Sequence, residues 1–427
     1  MADIRPFKAV RPAAGKAGDI AALPYDVYNR AEAKEAAADK PLSFLRIDRP
    51  EMHFDDDHDM YADDVYQKAH DLLWDMIERG DFVRDEKAQF YIYELTMKSR
   101  VQTGIVACAS VRDYENGVIK KHENTRAEKE ADRIRHVDTC NAQTGPIFLA
   151  YRQVDALHEI TERVKQQKAD ADITSEDGIR HRVFVISDDS DIKAIEDAFA
   201  AIPAIYIADG HHRAASAVRV GQKRREAAGA AANASANSTD AAGSPADTIP
   251  YEYFLSVLFP DEELRIYDYN RVVKDLNSLS ADELRKQIER VATPLQEATD
   301  PIRPKEKGHF SMFLEDRWYL YEFKKQIKSK DPVAGLDVSI LQDHILGPVL
   351  NIGDPKTDPR IDFVGGIRGL GELERRVHTD CAVAFAMYPT SIEELFDVAD
   401  AGLLMPPKST WFEPKLRSGL FIHTLTD

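Results

Sequence analysis

Residues 202 to 218 read IPAIYIADGHHRAASAV, and no other stretch restricts the fold as much. The apolar run PAIYI predicts a buried strand, Asp209–Gly210 a sharp turn, and the residues after it a helix. A strand that passes into a helix across so short a turn places the chain in the α/β or α+β class. Packing alone does not explain an aspartate, a glycine, two histidines and an arginine in succession at that turn, so the same stretch marks a candidate site.

Other segments agree with this class. Residues 58–80 (HDMYADDVYQKAHDLLWDMIERG) have apolar positions at helical spacing and end at Gly80. QFYIYELTM and TGIVACASV read as two strands joined by a polar turn, and HFSMFLEDRWYLYEF as a hairpin turning near Glu315 and Asp316. Thr125 followed by Glu128 predicts a capping box, with a helix running to about Asp138 and PIFLAY as the strand after it. Toward the C-terminus, LDVSILQDHILGPVL reads as helix, IDFVGG and CAVAFAMYP as strands, and SIEELFDVADAG as a capped helix. Residues 222–250, rich in Ala, Asn, Ser and Thr, predict a mobile, disordered surface insert. The expected segments are 1–84, an N-terminal α/β piece; 85–260, a core carrying that insert; and 261–427, a C-terminal α/β domain.

Charge narrows the function. Among 427 residues, 74 acids stand against 56 bases, a formal net charge of −18. That balance disfavours nucleic acid as a partner, because affinity for its backbone needs clustered Lys and Arg; a small anion can still be held by a local basic pocket. The N-terminal residues lack a signal-peptide core and no window approaches a membrane span, so a cytoplasmic protein without a membrane partner is expected. The three cysteines are scattered, which disfavours a disulfide framework or structural zinc. HFDDDHD at 53–59 reads as a solvated acidic face rather than a metal site. HExxH, GxSxG and GxGxxG do not occur in a convincing context.

The turn at 209–213 offers specific chemistry. Helix-start amides lean positive and favour a phosphate or carboxylate near Gly210, and Arg213 adds a bidentate fork. Asp209 is the candidate metal carboxylate, and His211 and His212 can donate to phosphate or titrate near neutrality. The plain alternative is that Asp209 caps the helix and the histidines are solvated. Elsewhere, Arg271 in YDYNRVV can pin a phosphate or pair with a surface acid. The loop MPPKSTWFEPKLRSGLFIH gathers Lys408, Ser409, Thr410, Lys415, Arg417 and Ser418, either to close over an anionic donor or as a packed tail. Tyr25 and Asp26 in LPYDVYN can line a small polar substrate pocket or form an ordinary turn.

ADGHHRAASA resembles the turn of the ParB/sulfiredoxin-like superfamily, and most of all that of its free-serine kinases. The resemblance implies a ParB/sulfiredoxin-like nucleotide-binding core with additional N- and C-terminal α/β elements. It also implies that Asp209, Gly210, His211, His212 and Arg213 hold phosphates, and that the glutamate of the upstream His122–Glu123 turn acts as base toward a serine hydroxyl. An insertion holding the 125–138 helix separates the two turns. More broadly, PYDV, KHENTRAEKEADRIRH, ADGHHRAASA, YDYNRVVKDL and the C-terminal loop are similar to a large prokaryotic family known only as a domain of unknown function.

Together these features point to a phosphotransferase acting on a small hydroxylated metabolite, with L-serine the expected acceptor and ATP, ADP or pyrophosphate the donor. On the resemblance, Glu123 is expected to deprotonate or orient the attacking hydroxyl, Asp209 to hold Mg²⁺ or assist, and His122, His211, His212, Arg126, Arg133 and Arg213 to surround the transferring phosphate. A non-catalytic nucleotide-binding regulatory module and a nucleotide hydrolase are the alternatives.

Overall fold

The computed structural model describes residues 1–235 and 249–426. Contacts gather these into two compact units: a first of residues 1–120, 124–264 and 414 onward, and a second of 121–123 and 265–413. Each is a mixture of sheet and helix, so the class is α+β. The three consecutive segments expected from sequence differ from this division, because residues 1–84 share a unit with 85–260 and the final residues return to it.

The first unit is built on a nine-stranded mixed sheet. Its strands are β1 (Ile4–Arg5), β2 (Phe90–Met97), β3 (Arg100–Ser110), β4 (Ile119–Lys120), β5 (Ile147–Tyr151), β6 (Ala171–Thr174), β7 (Arg180–Ile186), β8 (Ile205–Asp209) and β9 (Tyr253–Pro260). They lie in the order β4-β8-β5-β9-β3-β2-β7-β6, with β1 against the end of β3. Strand β5 runs parallel to β9 and antiparallel to β8, which carries the Asp209 turn at its C-terminal end. The expected hairpin is β2–β3, closed over Lys98 in the left-handed region at φ 57°. Residues 90–95 are buried without alternation, as befits strands covered on both faces.

Three long helices accompany the sheet: α1 (Asp63–Glu78), α2 (Ala127–Cys140) and α3 (His211–Ser235). Two expectations need correction here. Helix α2 begins after Arg126 without a side-chain cap, because the Thr125 hydroxyl donates to Glu130 at 2.6 Å rather than entering a box with Glu128. Residues 222–235 are not a disordered insert but the continuation of α3. Arg224 is tied to Asp138 and Arg225 to Glu115 and Glu252, so alanine-rich composition here reflects helix propensity. The rest of the expected insert, 236–248, lies outside the described residues.

The second unit holds a six-stranded sheet. Its strands are β10 (Tyr269–Val273), β11 (Ala292–Ala298), β12 (His309–Leu314), β13 (Arg317–Phe323), β14 (Ile361–Gly365) and β15 (Val383–Met387), ordered β11-β13-β12-β15-β10-β14. The β12–β13 hairpin turns at Glu315 and Asp316, both at positive φ as a two-residue turn demands. Helix α4 (Leu370–Thr379) covers one face through Leu370 and Leu373, which pack with Val272, Ala384 and Trp318. Helix α5 (Ile392–Asp400) has the capping box of Ser391 and Glu394 that its sequence announces.

Two glycine substitutions test this architecture. A Cβ at Gly104 on β3 would stand 2.6 Å from Val257 and 2.7 Å from Phe259 of β9. Gly104→Ala is therefore expected to lower stability by about 1–3 kcal/mol. Gly229 in α3 has open space around it, so Gly229→Ala should raise stability by roughly 0.5–1 kcal/mol. Urea unfolding measures both; a neutral Gly229→Ala would contradict a helix at this position.

Candidate functional site

Strand β8 is apolar and buried from Ile205 to Ala208, and its pairing with β5 slips between Ile207 and Asp209. Such a bulge re-aims the last side chain of a strand. Gly210 follows at φ +90°, a conformation that favours glycine, and its bare Cα leaves room for Arg213 to fold back. A Cβ there would lie 3.1–3.3 Å from the guanidinium. The Gly210 carbonyl accepts the Ala214 amide at 2.9 Å, so α3 begins at this turn, and the amides of its first turn have no carbonyl within the helix.

Asp209 is not the helix cap. One carboxylate oxygen accepts the Gly210 N–H at 2.8 Å, and the other accepts Lys415 Nζ at 2.9 Å. Burial pushes this carboxyl upward, but Lys415 and Arg213 outweigh it and hold the group well below the usual carboxylate range. His212 Nε2 accepts the backbone N–H of Arg126 at 3.0 Å, which puts the ring proton on Nδ1. Burial, with Lys129 beside it, lowers the His212 pKa and keeps the ring neutral. His211, first in the helix, is buried.

Beside the turn lies a small pocket, partly open to solvent. Two guanidiniums, Arg133 and Arg213, and three hydroxyls, from Thr144, Ser216 and Ser418, line it with Tyr25, Asp48 and His136. Arg213 Nη1 donates to the Pro146 carbonyl at 2.6 Å. Arg133 is buried over the Tyr25 ring at 4.2 Å and pairs with Asp132 at 2.9 Å. Burial works against its charge, but Asp132, Tyr25 and Asp48 prevail and raise its pKa. Burial pushes the Tyr25 hydroxyl up to about 12, with Arg133 opposing. Asp48 accepts the Thr144 hydroxyl at 3.0 Å, and His136 Nε2 donates to the Ile47 carbonyl at 2.9 Å. Burial and Arg133 lower the His136 pKa.

The sequence candidates divide between the units. Asp209, Gly210, His211, His212, Arg213, Arg133 and Tyr25 gather in the first unit. Asp26 and the Arg126 side chain are exposed there, and the Arg126 backbone N–H donates to His212. His122 and Glu123 belong to the second unit, where the His122 carbonyl accepts the Met405 amide at 2.8 Å, and so do Arg271, Lys408, Ser409 and Thr410. Ser409 is buried, donating its hydroxyl to the Pro406 carbonyl at 2.7 Å. The C-terminal loop is thus split: Lys408 to Thr410 lie in the second unit and Lys415 to Ser418 in the first. Asp48, His136, Thr144 and Ser216 are site neighbours that sequence reasoning gives no role, while Lys415 and Ser418 come from the C-terminal loop that it singles out. Ser216 had a signal, standing three residues after Arg213 on one helical face; the others come from distant segments.

The sequence profile described as "Protein of unknown function (DUF1015)" matches residues 4–339. The chain belongs to the DUF1015 family. No curated protein matches this DUF1015 chain. Among solved structures, a free serine kinase variant in complex with AMP is similar at 12% identity and a TM-score of 0.34, covering 74% of this chain and 92% of that one. SbnI with a C-terminal truncation, from Staphylococcus aureus, is 11% identical at 0.35, covering 74% and 86%. A conserved hypothetical protein from Pyrococcus furiosus is 13% identical at 0.31, covering 75% and 97%. Among the described residues no helix is long and apolar enough to cross a membrane.

The Asp209–Lys415 pair has a measurable pH signature. Because the folded pKa of Asp209 lies below the unfolded value of about 4, its stabilisation is complete above that value and is lost as pH falls through the folded pKa. Lys415→Met removes one partner, so the Asp209 pKa should rise and stability near neutrality should drop by about 1–3 kcal/mol. Carbon NMR titration of the Asp209 carboxyl and melting curves from pH 7 down to the lowest pH at which the chain stays folded check both; an unmoved carboxyl would contradict the pairing.

Proposed function

We propose that this protein transfers a phosphoryl group to the hydroxyl of a small metabolite, with L-serine as acceptor and ATP, ADP or pyrophosphate as donor. The observation that carries the reading is the turn itself: an ionised aspartate, a helix start and a folded-back arginine meet beside a pocket lined by a second arginine and three hydroxyls. The resemblance of ADGHHR to the free-serine kinase turn supports it from sequence.

Phosphoryl transfer asks chiefly for positioning and for neutralising charge on the transferring oxygens. Arg213 and the first-turn amides of α3 hold the phosphate, and Arg133 adds a second cation across the pocket. Ser418 offers a hydroxyl to orient a polar acceptor, and Thr144 and Ser216, whose protons go to Asp48 and the Arg213 carbonyl, can accept from it. His212, neutral with its proton on Nδ1, offers a donor that does not change charge near pH 7. A magnesium ion suits the turn's chemistry, since Asp209 stays ionised and Mg²⁺ commonly takes one protein carboxylate with phosphate oxygens and waters. Asp209 would be its protein ligand, sharing the carboxylate with Lys415. When bound, the ion would neutralise donor charge; the residues named here hold and orient the two substrates.

Phosphorus NMR of the full chain with Mg²⁺, L-serine and each donor in turn tests the reading. A new phosphomonoester resonance that requires serine is expected, with Arg213→Met slowing its appearance by roughly 10²–10³-fold and Asp209→Ala abolishing it. Absence of a product with every donor would contradict the proposal.

A further inference from the structure

The second unit holds a charge with no counterion among the described residues. Arg271, on β10, is 3% exposed, and its guanidinium donates from Nη1 to the Tyr269 carbonyl two residues back along its own strand. In the sheet it stands opposite Phe363 of β14 and Phe385 of β15, with the guanidinium 5.4 Å from the Phe363 ring. Among the described residues no carboxylate pairs with it. The nearest acid along the chain, Asp268, serves Asn270 at 2.7 Å and Arg303 at 2.7 Å, and Asp362 serves Arg376. Burial pushes the Arg271 pKa down to about 10, and only the Tyr269 phenol opposes it. A buried charge is ordinarily paired or liganded, because leaving it bare forfeits its hydration without return.

A second cation reaches the same aromatic group. Lys408, exposed and at φ 59°, places its Nζ 5.5 Å over the Tyr269 ring, and the Trp411 indole meets that ring edge-on at 5.1 Å. Trp411 is fixed against Gly365, where a Cβ would lie 2.9 Å from the indole. The two sequence stretches that bring basic residues into this region, YDYNRVV and MPPKST, therefore converge on one aromatic wall.

We propose that Arg271 is the recessed anchor of an oxyanion site in the second unit, binding the phosphate or carboxylate group of a small ligand, with Lys408 at its mouth. The planar fork of a guanidinium matches either head group through two parallel hydrogen bonds. The site is independent of the phosphotransferase reading and uses none of its residues.

The test uses the full chain carrying Arg213→Met, so that the first unit's principal anion holder is absent. Its melting temperature is followed in chloride, inorganic phosphate and acetate at matched ionic strength. Phosphate or acetate should raise the melting point by several degrees over chloride, and adding Arg271→Met should remove that gain. The difference between the two chains is the reading, since phosphate stabilises folded proteins in general by exclusion. The anion that shifts names the head group. In chloride alone, Arg271→Met should melt no lower than its parent, because it removes a charge with no counterion. Should Arg271→Met fail to fold, Arg271→Lys keeps the charge without the fork and should lose most of the gain. An anion effect that survives substitution of Arg271, or none with either anion, overturns the proposal.

Discussion

The ion pair between Asp209 and Lys415 joins residues 206 positions apart and fixes the turn around which the first unit is arranged. Lys415 reaches it because the residues from 414 onward run back through the unit and are fastened along their length. Ser418 and Ala22 exchange backbone hydrogen bonds at 2.9 and 3.2 Å, Ile422 and Val10 do so at 3.0 Å each, and His423 pairs in register with Gln143. Gly419, at φ +83°, lets the strap lie directly on Phe44. Arg417 adds an ion pair to Asp177 and donates its backbone N–H to the Tyr93 hydroxyl oxygen at 3.3 Å. The strap is thus held by backbone geometry, and the lysine at its start is positioned rather than free to wander. Its hydroxyl at Ser418 enters the pocket from the same fastening.

The electrostatics follow from that arrangement. In a chain with a net charge of −18, the groups brought to the turn are mostly cationic: Lys415, Arg213 and Arg133, with a helix start that leans positive. Their field keeps Asp209 ionised despite its burial, while His212 and His136 stay neutral for the opposite reason, since burial and neighbouring cations both disfavour a further positive charge. The turn therefore presents a settled pattern of donors and one anionic oxygen pair around neutral pH.

The strand, turn and helix at 205–213 are legible in sequence because each depends on local rules: an apolar β-rich run, a glycine at positive φ, and helix formers after it. The same holds for the β12–β13 hairpin and for the Ser391–Glu394 box. Local rules fail where a distant partner decides. Thr125 looks like a cap but bonds Glu130, and residues 222–235 look unstructured by composition yet are helical, with Arg224 and Arg225 pinned by acids far away in the chain. Asp48 and Thr144 carry no motif at all, and although Lys415 and His136 fall in stretches that stand out in the sequence, only the fold brings them to the turn. Arg133 shows the intermediate case, since helical spacing indicates its face while only the structure shows it stacked on Tyr25.

The most direct measurement is calorimetric titration of ADP and of pyrophosphate, each with Mg²⁺, into the full chain and into Arg213→Met, with Lys415→Met beside them. The account predicts saturable binding to the natural chain, at least tenfold weaker in Arg213→Met, and weakening with added salt as expected for contacts to phosphate. Binding of equal strength in all three chains, or no binding to the natural one, would contradict the assignment of the Asp209–Gly210 turn as a phosphate site.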